Sequence, residues 1–271
     1  MKYCIHCGNR ISEEAKFCSS CGKTCEKIED NNTTVTESQS EKSFKDHAYY
    51  FYRVGLNITC ISDQKNKYNS RADNVYLKAP NHAWEYLSNV RQTLEEFNSY
   101  SWQTATGFGI VTGFNNLIAI DLDNCTPDFL VKTLEILNLP HDYQWIVLSG
   151  GKKGFHIYVF VHGLTENFTT ETVIRLSPKT EYKQEIGKVE LLVRLHSILP
   201  PSLHPSKNTY EFINRIRPNV MPKSINFGTL ESFIDSFFDS TKQRNMHKYK
   251  QRSEGVSKLL QKIGKLLGVG N

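Results

Sequence analysis

Residues 109–124 read GIVTGFNNLIAIDLDN, two apolar runs separated by the turn formers Gly113 and Asn115. Runs of this length on either side of a turn predict adjacent strands of a hairpin. The second run ends in Asp121 and Asp123. Alternate residues of a strand point to one face, so the two carboxylates project together while Leu122 faces the other way. Neighbouring carboxylates repel, and either solvation at a strand end or a hard divalent cation relieves that repulsion. The D-x-D pattern alone fits both readings equally.

Outward from this stretch the chain alternates strands and helices. Residues 47–55 (HAYYFYRVG) predict a short helix and residues 56–61 (LNITCI) a strand. Residues 83–97 place Trp84, Leu87, Val90, Leu94 and Phe97 near one helical face, a core stripe. Residues 127–138 read as helical. Beyond them, QWIVLS and FHIYVFV flank the turn GGKKG, and KVELLVRL and TYEFI supply further strands around PPSLHP. The mixture defines an α/β (α+β) domain over residues 45–240.

Composition bounds the rest. A chain of 271 residues, 39% hydrophobic and 23% charged, suits one main core and a small accessory domain. No run approaches the about 18 apolar residues of a membrane span, and MKYCIHCG has no apolar leader, so a cytoplasmic protein is expected. Four of the seven cysteines, Cys4, Cys7, Cys18 and Cys21, form C-x2-C-x10-C-x2-C. Two thiolate pairs on tight turns complete a tetrahedral zinc shell without a large core, and Gly8 and Gly22 let each turn close. Residues 1–25 therefore resemble a zinc ribbon with a structural Zn2+. Cys25 and His6 fall outside the paired geometry.

Residues 26–44 are polar and read as a linker. Residues 241–271 carry eight Lys or Arg against Glu254 alone, and Val256, Leu259, Leu260, Ile263, Leu266 and Leu267 share one helical face. This basic tail suits a polyanion, docking onto the body or a partner, or a membrane surface.

Ser149, Gly150, Gly151, Lys152, Lys153 and Gly154 follow an apolar strand, and His156 comes two residues later. Such a turn brings backbone N–H groups and positive charge near phosphates. It is not the G-x-x-x-x-G-K-[ST] loop of a P-loop ATPase.

In order and approximate spacing, GIVTGFNNLIAIDLDN, SGGKKGFHIYVF and VELLVRLHSILPPSLHP resemble the three motifs of the bifunctional primase-polymerase family of the archaeo-eukaryotic primase superfamily. Lys78-Ala79-Pro80 and Trp84 resemble its lead-in. The resemblance implies a nucleotidyltransferase, a DNA primase or DNA-directed polymerase that uses Mg2+ or Mn2+. It implies Asp121, Asp123 and Glu190 as catalytic metal ligands and Ser149 and His156 as phosphate contacts, while Gly150, Gly151 and Gly154 join the nucleotide-binding turn through their backbone N–H groups and Lys153 by charge alone. Glu185 lies close enough to compete with Glu190 for the third position. Pro200-Pro201-Ser202 matches a pocket-wall turn. Similar small proteins serve plasmids, phages or other mobile elements, and the implied partners are single-stranded DNA template, nucleoside triphosphates and a separate replicative helicase. Other readings stay open: a gap-filling polymerase, a non-catalytic nucleic-acid-binding replication protein, or a metal-dependent nuclease.

Overall fold

The computed structural model describes residues 2–3, 10–12, 43–62, 78–80 and 82–239. Cys4, Cys7, Cys18, Cys21, most of the expected linker and the basic tail lie outside the described residues.

In chain order the elements are β1 (Lys2–Tyr3), β2 (Arg10–Ile11), α1 (Phe44–Arg53), β3 (Ile58–Ser62), α2 (Leu94–Ser99), β4 (Ala105–Val111), β5 (Leu117–Asp123), α3 (Pro127–Ile136), β6 (Ile146–Leu148) and β7 (Gly154–His162). They continue with α4 (Glu166–Thr169), β8 (Val173–Leu176), β9 (Lys188–Leu192), β10 (His196–Leu199), β11 (Glu211–Phe212), β12 (Ser224–Asn226) and α5 (Phe227–Phe237). β1 and β2 pair antiparallel. A three-stranded sheet runs β10-β4-β3, and a larger one runs β11-β6-β7-β5-β9-β8 with β12 parallel beside β7. The α/β architecture agrees with the sequence reading.

Local chemistry sets the helix starts. Ser43 with Asp46 and Thr93 with Glu96 form capping boxes at α1 and α2, while Thr126 caps α3 with Pro127 in its first turn. Phe51 of α1 packs against Phe108, Trp145 and Phe212 at ring distances of 5.9, 5.7 and 6.2 Å, joining the helix to both sheets. Truncating such a buried phenylalanine costs about 3–5 kcal/mol. Phe129 of α3 meets Phe237 of α5 edge-on at 5.1 Å.

Two expectations are corrected. β4 and β5 do not form a hairpin: β4 pairs with β3 and β10, whereas β5 pairs with β7 and β9. Gly113, Asn115 and Asn116 take positive φ (102°, 55° and 59°), so the loop carries the chain from one sheet to the other instead of folding it back. β9 and β10 make the reverse passage alongside. Thr112 N–H donates to Leu195 O at 2.7 Å and Leu195 N–H to Thr112 Oγ1 at 2.9 Å, so the paired strands run as one ribbon through both sheets.

Residues 83–97 are not one helix either. A short 3-10 turn at Glu85–Ser88 ends before α2, and Val90 and Leu94 are exposed. Buried amides interrupt the helix: Asn57 Nδ2 donates to Leu87 O and Val90 O, carbonyls that a continuous helix would use internally. Gln92 exchanges two hydrogen bonds with the Ile58 backbone, which anchors the non-helical segment before α2.

Candidate active site

The register of the larger sheet aligns four side chains from neighbouring strands. Val147 of β6 lies opposite His156, His156 opposite Asp121, Asp121 opposite Glu190, and Glu190 opposite Arg175. Directly opposed residues share a sheet face, so His156, Asp121, Glu190 and Arg175 form one row. Two residues on, Gly154, Asp123 and Lys188 form the next row on that face. Ile118, Ile120 and Leu122 fall on the other face, fully buried. His156, Asp121, Glu190 and Asp123 border a cleft of about 300 Å³ that also takes in Ser149, Gly151, Lys153, Ser197, His204 and Tyr210.

Asp121 is the strained member. Its Oδ1 is buried with no hydrogen-bond partner, and His156 Nε2 stands 3.4 Å away without hydrogen-bond geometry. Burial raises its carboxyl pKa above the ordinary 3.8; His156 and Lys188 oppose this, and the negative charges of Asp123 and Glu190 reinforce it. On its other side, the His156 imidazole meets the Ser197 hydroxyl at 3.1 Å through Nδ1. Ser197 in turn pairs with Tyr158 Oη at 2.8 Å. His156 is thus flanked at both nitrogens.

Glu190 is neutralised. Its Oε1 accepts from Arg175 Nε at 2.8 Å and its Oε2 faces Lys188 Nζ at 2.9 Å, while the residue itself is only 8% exposed. Glu185, the competitor for the third position, pairs instead with Lys132 at 2.6 Å and does not border the cleft.

The glycine turn closes through Ser149 N–H to Gly154 O and Lys152 N–H to Ser149 O. Lys152 occupies the left-handed position at φ 58° and points into a 2.7 Å pair with Glu211, away from the cleft, leaving Lys153 as the turn's lysine there. Gly150 is required by packing, because a Cβ there would overlap the His204 side chain.

His204, Tyr210 and Ser197 border the cleft although the sequence reading assigns them no role. His204 and Tyr210 precede β11: His204 lies in the PPSLHP loop, which no strand periodicity marks, and Tyr210 falls in the expected TYEFI strand, just before the two residues that pair. Lys78 of the lead-in segment also borders it, with its carbonyl 2.8 Å from His196 Nε2. Ser202 lies behind the wall, its Oγ accepting from Phe108 N–H of β4 at 2.8 Å.

Among the described residues no three His, Cys, Asp or Glu side chains converge as they stand to hold a metal ion. Both Glu190 oxygens are occupied by cationic side chains. The orphaned Asp121 Oδ1 beside Asp123 nonetheless fits a hard divalent cation, which carboxylate oxygens favour.

A carboxylate row and a basic glycine turn thus border one open cleft. The chain belongs to the bifunctional DNA primase/polymerase family: the family described as "Bifunctional DNA primase/polymerase, N-terminal" matches residues 48–224. A zinc-ribbon domain matches residues 3–24. No curated protein matches the chain. Among the described residues no helix is long and apolar enough to cross a membrane.

Proposed function

We propose that this chain is a template-directed DNA primase or polymerase that synthesises or extends primers by nucleotidyl transfer from nucleoside triphosphates. The observation that carries the reading is the in-register row of His156, Asp121 and Glu190, with an unpartnered buried Asp121 oxygen at its centre. Mg2+ or Mn2+ bound here supplies charge neutralisation and acidifies the attacking 3′-hydroxyl. Asp121 and Asp123 would hold it, and Glu190, whose Oε2 faces Lys188 Nζ, would be the third carboxylate.

The remaining steps belong to the protein's own groups. Ser149 and the backbone around Gly151 hold the triphosphate, and Lys153 offsets its charge. His156, fixed between Asp121 and Ser197, offers a hydrogen bond at the rim of the carboxylate row. Fixing the α-phosphate against the primer 3′-oxygen aligns an in-line displacement, in which the new O–P bond forms as pyrophosphate departs. The zinc head and the basic tail supply grip on single-stranded template, which makes binding salt-dependent. A replicative helicase, where one is used, acts as a separate chain.

Incubating the full chain with single-stranded DNA, labelled nucleotides and Mn2+ tests the reading. New labelled chains support a primase, and extension of supplied primers alone supports a gap-filling polymerase. Degraded template would indicate a nuclease, and no product at all would leave a nucleic-acid-binding role.

A further inference from the structure

The cleft holds an imidazole to which the proposed mechanism gives no part. His204 Nδ1 accepts the backbone N–H of Ser206 at 3.1 Å and meets the Ser206 hydroxyl at 2.8 Å. Because a backbone N–H points at Nδ1, that nitrogen is unprotonated, and in the neutral ring the hydrogen resides on Nε2. The loop carrying His204 is fastened to the glycine turn. Asn208 Nδ2 donates to Gly150 O and Ser206 Oγ lies against the same carbonyl, both at 3.0 Å, and His204 N–H donates to Asn208 O at 2.8 Å.

This fastening aims the ring at one place. A Cβ built on Gly151 would stand 3.4 Å from His204 Cε1, 3.8 Å from His204 Nε2 and 3.7 Å from Ser149 Oγ. The space left by the missing side chain is therefore bounded by the Cε1–Nε2 edge of His204 and the Ser149 hydroxyl, two groups able to donate hydrogen bonds. Tyr210 backs the arrangement, with its ring 5.5 Å from His204 and 5.9 Å from His156. Burial, with Lys78 and His156 adding to it and Asp123 opposing, holds the His204 pKa below the usual histidine value, which favours the neutral ring. A neutral ring cannot act as a general acid, but its N–H still binds an anionic oxygen.

From this geometry we propose that His204 binds the polyphosphate of the incoming nucleotide directly, donating its Nε2–H to a β- or γ-phosphate oxygen seated over Gly151 together with Ser149 Oγ. The proposal rests on the primase-polymerase reading and adds a residue to it. It also accounts for Gly150 and Gly151 separately: the first makes room for the His204 side chain, the second for the phosphate.

Binding to the full chain, measured by calorimetry with a nucleoside triphosphate, the matching monophosphate and inorganic tripolyphosphate, tests this without turnover. His204→Leu keeps bulk and loses the N–H, and the expected result is an about tenfold or greater loss of affinity for triphosphate and tripolyphosphate with monophosphate affinity unchanged. His204→Gln, which restores a side-chain N–H, should recover part of the loss. Unchanged triphosphate affinity in a folded His204→Leu protein, or an equal loss for monophosphate, overturns the assignment. Should that variant fail to fold, the 15N shift of His204 Nε2 in the wild-type chain decides: it should move on adding tripolyphosphate, and a static resonance under saturation refutes the contact. A wild-type chain that binds no triphosphate would overturn the primase-polymerase reading itself, a result distinct from failure of the His204 variants alone.

Discussion

Gly154 lies directly opposite Asp123 in the ladder between β5 and β7, and a Cβ at position 154 would come within 2.8 Å of Asp123 Oδ1. The Asp123 carboxylate occupies space that any other residue at 154 would claim. Gly154→Ala should push it out of line and lower nucleotide addition by about 10- to 100-fold, the usual effect of misplacing a ligating group. Circular dichroism should report an intact fold. Wild-type rates in this variant would show that the position of Asp123 does not matter.

Asp121 gives a pH-dependent signature. Its folded-state pKa is raised, chiefly by burial, so the folded chain binds its proton more tightly than the unfolded chain. The favourable contribution is complete below the unfolded value of 3.8 and disappears as pH rises through the folded value. Asp121→Asn should therefore be more stable than wild type at pH 7 in chelator, with the difference closing as pH approaches 3.8. Each kcal/mol of relief would read as about 2–4 °C in melting temperature. The same variant should be inactive. Equal stability at pH 7 would mean that Asp121 carries no uncompensated charge.

Lys188 Nζ pairs with Glu190 Oε2 at 2.9 Å, the oxygen a metal ion at this carboxylate would need. Removing it through Lys188→Met frees Glu190 Oε2 while Arg175 keeps Oε1. Mn2+ affinity, read by electron paramagnetic resonance during titration of the protein with the metal, should rise several-fold. A decrease would show that Lys188 orients Glu190 instead of blocking it.

The zinc-ribbon match at residues 3–24 makes a stoichiometric claim. Elemental analysis should find one zinc per chain, absent from Cys18→Ser because three thiolates leave the tetrahedral shell open. Unchanged zinc content in that variant would reassign the ligands.

Deleting residues 241–271 removes eight cationic side chains. If the tail neutralises template phosphates, the slope of log affinity against log salt should flatten by roughly 0.7 for each single-strand phosphate that is no longer neutralised. An unaltered slope assigns the tail to another partner.

The parts of the site that were legible in the sequence are those governed by strand alternation. Two aspartates spaced by one residue share a face whatever sheet they join, and a glycine turn between apolar runs marks β6 and β7. Partner choice was not legible. β4 and β5 meet the local requirements of a hairpin, and only the positive φ of Asn115 and Asn116 and the competing pairings of β3, β7, β9 and β10 separate them. The apolar spacing of residues 83–97 likewise suits a helix until Asn57 and Gln92 take up backbone groups from a distant segment. His204 stayed unassigned because its position depends on a loop fastened to Gly150, and PPSLHP by itself gives no direction to the ring.

The ribbon that passes through both sheets bears on the nascent chain. Asp121 emerges from the ribosome early, but its cross-strand partner Glu190 follows only after α3, β6, β7, α4 and β8 have been made. Before that, the strand carrying Asp121 and Asp123 has one open edge, and the second sheet lacks β10. Pairing over so long a stretch of chain is slow to form. A stalled or truncated product ending before Lys188 would present an apolar β5 edge beside unbalanced carboxylates, which makes it a substrate for chaperones or proteases and not a partial enzyme.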